Sequence, residues 1–203
     1  MLSSKPLSSP ANVTVPAPIS PDETITWAPD ADQASAGIRQ WLFDAGSLTQ
    51  RLTIASEHRF TVTPLHEGWQ PLRADECQAL GLAEGSEGWV REVFLRGRGE
   101  PWVFARSVAG RQALEACDFA LQALGTRSLG QFLFSDPAFI RQPFDTCRYP
   151  YRWLPREVAA HGLWARRSRF DRQAPGQQGL SVLVTEVFLP TLWRATGLPD
   201  EAC

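Results

Sequence analysis

Apolar and polar residues alternate along several stretches of the chain, and this pattern predicts β-strands. Residues 89–95 read Trp-Val-Arg-Glu-Val-Phe-Leu, and residues 102–106 resume the pattern after a loop rich in glycine and arginine. A strand, a tight connection and a second strand form an antiparallel hairpin. Further strands are predicted at residues 60–64, 139–146, 163–170 and 180–190.

Apolar residues at helical spacing predict short helices before the strands and between them. Residues 35–55 carry two such runs, with Ser47 placed to cap the second. Residues 109–124 carry a leucine-rich stripe that ends before a glycine, and residues 128–134 form another short run. Strands joined by hairpins, with helices grouped between them, indicate an α+β domain on a largely antiparallel sheet.

Composition divides the chain into three parts. Residues 1–34 begin with a stretch rich in proline and serine, which favours neither helix nor strand, so we expect a flexible N-terminal arm. Residues 35–190 hold the predicted elements and are interpreted as one domain, because 203 residues with 43% apolar side chains suffice for one sizeable core. Residues 191–203 are expected to form a C-terminal extension.

Charge argues against a polyanionic partner. The chain has 20 basic and 22 acidic residues and a net charge of -2, which predicts no attraction to nucleic acid or to an anionic membrane. All but one of the basic residues are arginine, a bias that codon usage alone can produce. Arg166, Arg167 and Arg169 form a basic cluster, but on a strand they divide between the two faces. A solvated or ligand-facing strand is therefore favoured over RNA binding.

Cofactor motifs are absent from the sequence. The four cysteines lie at least 30 residues apart with no histidine at zinc-ligand spacing, which predicts reduced thiols and no metal site. No glycine-rich phosphate loop indicates a nucleotide cofactor. No signal peptide or membrane-spanning stretch is recognisable, so we expect a cytoplasmic protein, and we expect it to be a monomer.

Two charged residues lie on apolar strand faces. Arg91 shares its face with Trp89, Val93 and Leu95, and Glu186 shares its face with two valines and a phenylalanine. One interpretation is that the two pair with each other, or that each reaches water at a sheet edge. The other is that they line an enclosed pocket, where Arg91 binds a ligand carboxylate with two parallel hydrogen bonds and Glu186 is a hydrogen-bond or proton partner. The strands alone do not decide between these interpretations.

Five sequence blocks in order resemble the chorismate lyase family, also called chorismate pyruvate-lyases. Together they span about residues 38–190, and five blocks in family order are more specific than any one of them. The blocks are Trp89-Val-Arg-Glu-Val-Phe-Leu95, Gly99-Glu-Pro-Trp-Val-Phe-Ala-Arg106, Leu129-Gly-Gln-Phe-Leu-Phe134, Gly162-Leu-Trp-Ala-Arg-Arg-Ser-Arg-Phe170 and Val184-Thr-Glu-Val-Phe-Leu-Pro190.

The resemblance implies a fold and an activity. The fold would be a six-stranded antiparallel sheet with helices on one side, and helical flaps would close an internal ligand site. The activity would be removal of pyruvate from chorismate to give 4-hydroxybenzoate, the first committed step toward ubiquinone, without a cofactor. The product would be retained tightly.

The resemblance also implies roles for particular residues. Arg91 would bind the ring carboxylate with help from the backbone at Leu129, and Glu186 would face the other end of the ring. Leu48 would belong to a flap, at a position where the family often has methionine. We further hypothesise that Arg106 or Arg167 binds the side-chain carboxylate. Glu186, kept partly protonated by its apolar surroundings, would then stabilise or protonate the departing ether oxygen.

A non-catalytic function is the alternative. The same fold serves, by resemblance, as the effector-binding domain of some transcription regulators, and a carrier of an aromatic acid would need a similar site. Such regulators normally begin with a helix-turn-helix domain, whereas only about 34 residues precede the first predicted helix here. Residues 143–161 are longer and more basic than the connection that the resemblance implies.

Overall fold

Seven strands form one antiparallel sheet in the computed structural model, which describes residues 25–117, 121, 124–172 and 179–201. The order is β1-β2-β3-β7-β6-β4, and β5 also pairs with β6. Since β4 and β5 pair with different halves of β6, they share the sixth position and give a sheet six strands wide, as expected. The strands are β1 (Phe60–Pro71), β2 (Glu87–Gly97), β3 (Glu100–Gly110), β4 (Phe139–Arg141), β5 (Asp145–Arg148), β6 (Trp164–Arg172) and β7 (Leu180–Phe188).

The predicted hairpin connects β2 and β3 through a tight turn. Arg98 and Gly99 at its centre have φ angles of 55° and 86°, the left-handed conformations that match the twist of the flanking strands. Just before the turn, a Cβ on Gly97 would lie 2.3 Å from the ring of Trp102. Glycine at this position therefore lets the indole of Trp102 pack against the backbone of β2.

The helices are short. They are α1 (Ala36–Leu42), α2 (Leu48–Ala55), α3 (Ala74–Leu80), α4 (Arg111–Glu115), α5 (Leu129–Ser135) and α6 (Pro190–Thr196). Ser47 and Ser128 cap α2 and α5, where each side chain accepts a hydrogen bond from a first-turn backbone N–H. Within the described residues, no helix has the length and apolar character needed to cross a bilayer.

The strand register defines two faces of the sheet. We call the face that carries Arg91 and Glu186 the front face, and the face that carries Arg106 and Arg167 the back face. Among the α-helices of the described residues, α3 packs on the back face, and the others contribute to apolar clusters on the front face. The expectation of an α+β fold on an antiparallel sheet is confirmed, but the helices are not all on one side.

Packing continues across both of the expected domain boundaries. Residues 25–34 lie against the sheet, since Ala28 bridges to Thr146 and Trp27 packs on the back face. At the other end, α6 places Trp193 against the ring of Trp41 in the front-face core. The remainder of the expected arm, residues 1–24, and the last two residues lie outside the described residues.

A buried ion-pair network joins α3 to the back of the sheet. The Arg106 side chain donates to both oxygens of Glu76, at 2.6 and 3.0 Å, and to Glu92 at 2.8 Å. Burial opposes the charge on Arg106, but its hydrogen bonds to the two carboxylates outweigh that effect and raise its pKa. Glu76 also accepts the backbone N–H of Arg73 where α3 begins. The network is thus a structural link between a helix and two strands.

Breaking this network should destabilise the fold. Glu76→Gln leaves the buried guanidinium of Arg106 without its main counter-charge, so the free energy of unfolding should fall by about 3 kcal/mol. Urea denaturation measures the change. Glu57→Gln is the matched control, because Glu57 pairs with Arg59 and Arg98 in solvent and its loss should change little. Equal stability of the Glu76 variant and the wild type would contradict the structural role.

The loop between α1 and α2 should make stability depend on pH. Burial works against the Asp44 carboxylate, but hydrogen bonds from the Gly46 N–H and from Arg51, each 2.8 Å, hold its pKa below the ordinary value of 3.8. A carboxyl group whose pKa is lowered by folding stabilises the folded state at pH values above its unfolded-state pKa. That contribution is lost as the pH falls through the folded-state pKa. Asp44→Asn should therefore destabilise the protein at neutral pH, and the difference should shrink on acidification. Thermal unfolding across pH tests this, and a difference that grows at low pH would contradict it.

Candidate active site

The site lies between two apolar clusters on the front face. One cluster packs α1, α2 and α6 on the sheet, and the other packs α4 and α5. Between them, one register row runs from Arg91 through Ser107 and Val184 to Ser168. The next row holds Ala105, Glu186 and Arg166. The middle of these rows carries the uncharged side chains Ala105, Ser107 and Val184, and charged side chains lie toward the ends. We call these two rows the floor of the candidate site.

Arg91 is held at one end of this floor. Its side chain is 2% exposed, and its Nε donates to Glu67 Oε1 at 2.6 Å. One of its terminal nitrogens donates to the carbonyl oxygens of Gly125 and Arg127 at 2.7 and 3.1 Å. The ion partner of Arg91 in the structure is therefore Glu67 and not Glu186. Leu129 begins α5 two residues after Arg127 and is buried, so the backbone at Leu129 follows directly on the loop that holds Arg91.

Glu186 lies toward the other end and is paired with a different arginine. The Nε of Arg166 donates to Glu186 Oε2 at 2.6 Å, and both side chains are largely buried. Arg166 also donates to the carbonyl oxygens of Trp41 and Asp44, each at 3.0 Å, where α1 ends. In this structure Glu186 therefore accepts a hydrogen bond from Arg166, and the two residues form a largely buried pair.

The structure does not bring Arg106 and Arg167 to this site. Arg106 lies opposite Glu92 in the strand register, and its side chain is on the back face because its neighbour Ala105 is on the front face. Arg167 lies over the Trp27 ring at 4.4 Å and bonds to Asp145 at 3.3 Å, also on the back. The hypothesis that either arginine binds the second carboxylate is corrected here, because side chains alternate between faces along a strand.

Two front-face arginines were missed by the sequence analysis. Arg166 was noted only as part of a basic cluster, because its position directly across from Glu186 depends on the strand register, which a local stretch of sequence does not show. Arg141 ends β4, and its Nε donates to Ser168 Oγ at 2.9 Å. Burial, only partly offset by the charge of Glu186, lowers the pKa of Arg141 to about 10. No sequence pattern marked Arg141, because β4 has only three residues.

Two helices meet above the floor. Leu48 begins α2 and is buried in the front-face core. The hydroxyls of Thr49 on α2 and Ser128 at the start of α5 lie 2.6 Å apart and join the two helices. A groove of about 490 Å³ opens between α2, α5 and β1 and is lined in part by Arg127, whose carbonyl holds Arg91. Leu48 therefore lies on a helix that contacts α5 beside this groove, and its role in a flap stays a prediction.

The cysteines that the structure describes carry free thiols. Cys77, Cys117 and Cys147 are free, and Cys203 lies outside the described residues. In the part of the chain that the structure describes, no three side chains of His, Cys, Asp or Glu are grouped so that they could hold a metal ion. The floor has a guanidinium toward each end, Arg91 at one and Arg166 at the other, and each is paired with a glutamate. Guanidinium groups are well suited to bind the carboxylates of a small anionic ligand.

Comparisons with known proteins identify the family of the chain. A family model described as chorismate lyase matches residues 22–198. A probable chorismate pyruvate-lyase 2 of Pseudomonas entomophila is 60% identical over 174 residues, which cover 84% of this chain and 91% of that protein. A probable chorismate pyruvate-lyase of Pseudomonas putida is 59% identical over 177 residues, with the same coverage. A solved structure of the PhnF C-terminal domain aligns with a TM-score of 0.48 at 17% identity, over 64% of this chain and 82% of that one. The family model and the relatives show that the chain belongs to the chorismate lyase family.

Proposed function

We propose that this lyase removes pyruvate from chorismate and releases 4-hydroxybenzoate, the first committed step toward ubiquinone, and that it works as a monomer in the cytoplasm. The observation that carries the proposal is the row from Arg91 to Ser168, in which Ser107 and Val184 separate Arg91 from the serine that Arg141 contacts. Family membership supports chorismate as the substrate. The product and the pathway are our extension of that membership.

Chorismate fits the charges along the floor. It is a cyclohexadiene with one carboxylate on the ring and a second on an enolpyruvyl ether. Arg91 is the anchor for the ring carboxylate, because a planar guanidinium matches the two oxygens of a carboxylate. The hydrogen bonds from Arg91 to Glu67 and to the loop before α5 fix the guanidinium in place. The backbone at Leu129 completes this end of the site.

The reaction needs orientation and charge stabilisation. The bond between ring carbon 3 and the ether oxygen breaks, and the oxygen leaves with the electron pair as the enolate of pyruvate. The proton on carbon 4 is lost, the ring becomes aromatic, and the enolate gains a proton on its methylene carbon to give pyruvate. Atoms balance with no added reactant. Aromatisation provides the driving force, and the protein lowers the barrier by holding charged groups where charge develops.

Glu186 stabilises the ring during this step. As the ether bond breaks, the ring gains positive character while the departing oxygen gains negative charge. A carboxylate beside the ring stabilises the positive charge on the ring, and the neighbouring arginines stabilise the negative charge on the departing oxygen. The pairing with Arg166 keeps Glu186 oriented toward the floor. Glu186 also accepts a hydrogen bond from the ring hydroxyl, which remains in the product.

Release of pyruvate from chorismate tests the function directly. Purified protein, without added metal or nucleotide, should form pyruvate and 4-hydroxybenzoate in equal amounts. Arg91→Ala should lower kcat/KM on the order of 100-fold and weaken product binding as well, because substrate and product share the ring carboxylate. Arg96→Ala is the matched control, since Arg96 lies on the same strand but bonds to Thr63 and Gly99 away from the floor.

Two outcomes would contradict the proposal. Binding of chorismate without release of pyruvate would indicate that the protein is a carrier or a sensor of an aromatic acid. Equal losses in Arg91→Ala and Arg96→Ala would show that the arginine on the front face is not a specific anchor.

Replacement of Glu186 tests its charge. Glu186→Gln keeps the shape and one acceptor oxygen but removes the negative charge, so kcat should fall by about 10- to 100-fold. If Glu186 had to donate a proton, kcat of the wild type would fall as the pH rises and Glu186 loses that proton. The glutamine variant would not show this fall. We expect parallel pH profiles of kcat for wild type and variant, measured from pH 5 to 9. An unchanged kcat in the variant would show that Glu186 has no part in the mechanism. A fall of kcat at high pH that occurs only in the wild type would show that Glu186 acts as an acid.

A further inference from the structure

One end of the substrate is not yet assigned to a residue. The enolpyruvyl carboxylate is the group that chorismate has and 4-hydroxybenzoate lacks, so the residue that binds it determines how substrate is distinguished from product. Arg106 and Arg167 are on the back face of the sheet. Among the described front-face arginines, Arg166 and Arg141 lie at the end of the floor opposite Arg91, on either side of Ser168.

The hydrogen-bonding groups of Arg166 are largely used within the protein. Its side chain is completely buried, its Nε is bonded to Glu186, and one terminal nitrogen donates to carbonyl oxygens at the end of α1. These contacts orient Glu186 and tie the sheet to the first helix pair. Arg166 is therefore a positioning residue for Glu186.

Arg141 differs from the other inward arginines in its partners. Arg91, Arg106 and Arg166 each have a carboxylate oxygen 2.6 Å from Nε. Within the described residues, no carboxylate lies at ion-pair distance from Arg141. Its Nε bonds to Ser168 Oγ, and one terminal nitrogen lies 3.5 Å from the carbonyl oxygens of residues 45 and 46, at the limit of a hydrogen bond. A half-buried guanidinium without a carboxylate partner is well suited to bind an anion.

The position of Arg141 agrees with the length of the substrate. Ser168, which holds its Nε, ends the register row that begins at Arg91. Three strand spacings of about 4.8 Å place the two ends of the row roughly 14 Å apart, which leaves room for a ring, an ether and a carboxylate at each end. The guanidinium carbon of Arg141 lies 3.9 Å from the Phe144 ring centroid, and that of Arg166 lies 4.5 Å from the same ring. Arg141 thus stands next to the Glu186–Arg166 pair.

We propose that Arg141 binds the enolpyruvyl carboxylate of the substrate and is the residue that distinguishes substrate from product. This rests on the proposed function. The loop between α1 and α2 closes over the same guanidinium through the carbonyls of residues 45 and 46. Arg141 stabilises the negative charge that builds up on the departing enolate, and it loses its ligand when pyruvate leaves. The ring carboxylate remains on Arg91, so the product is held from one end only.

Binding of inert ligands tests the assignment. The probe is 3-[(1-carboxyvinyl)oxy]benzoate, which carries both carboxylates but cannot eliminate pyruvate by aromatisation because its ring is already aromatic. Its side-chain methyl ester lacks only the second charge. In titration calorimetry the wild type should bind the diacid about 10- to 100-fold more tightly than the ester. Arg141→Gln should bind the two alike, while its affinity for 4-hydroxybenzoate stays within about twofold of wild type.

The control variants separate binding from folding. Arg169→Gln is matched in residue type and lies on β6 on the back face, paired with Asp171, so it should keep the wild-type ratio of affinities. Arg141→Lys keeps the charge without the planar fork and should show an intermediate ratio. If Arg141→Gln loses its thermal unfolding transition, the test uses Arg141→Lys instead. The ratio of its affinities for the diacid and the ester must then be lower than that of the wild type.

Failure of this assignment can be told apart from failure of the proposed function. A wild type that does not prefer the diacid, or an Arg141→Gln variant that keeps the preference, would overturn the role of Arg141 even if pyruvate is released. An equal loss of affinity for 4-hydroxybenzoate would also overturn it. A wild type that prefers the diacid but releases no pyruvate would overturn the function and leave the carboxylate site standing.

Discussion

The ion pair between Arg166 and Glu186 connects the two parts on which the site depends. It joins β6 to β7 on the floor, and the same guanidinium holds the end of α1 through backbone carbonyls. Truncating either partner would leave a buried charge without compensation, which costs several kcal/mol. The pair therefore fixes the carboxylate of Glu186 and the end of α1 together, and α2 follows in the chain.

Charge lies on both faces of the same central strands, but the two sets have different tasks. On the back face, Arg106 has its donors bonded to Glu76 and Glu92, and the result is a link that holds α3 in place. On the front face, small side chains separate Arg91 from the Glu186 pair, and the apolar clusters stand to either side. Arg91 and Arg166 on the front face are each paired with one carboxylate, whereas Arg106 on the back face binds two. These arginines thus link a helix to the sheet on one face and hold Glu67 and Glu186 on the other.

The general fold and two site residues could be predicted from the sequence alone. Alternation of side chains locates the long strands β2 and β7 and places Arg91 and Glu186 on apolar faces of them. The serine caps mark α2 and α5. Helix α3 was not predicted, and neither was its position on the back face. Within the site, the ion partner of Arg91 and the residues that hold Glu186 come from other strands and loops, so no local pattern contains them.

The sequence by itself determined which residues each strand presents to a face, because that depends only on the two-residue period of a strand. Only the tertiary structure decided which strands lie side by side and in what register. A shift of one residue in register would exchange Arg166 for Arg167 beside Glu186, and with it the front face for the back. For the same reason Arg106, adjacent in sequence to the front-face residues Ala105 and Ser107, belongs to the structural network, while Arg141 on a three-residue strand reaches the site. The register is set by long-range pairing and by the packing of helices on each face, and neither is visible in a local stretch of sequence.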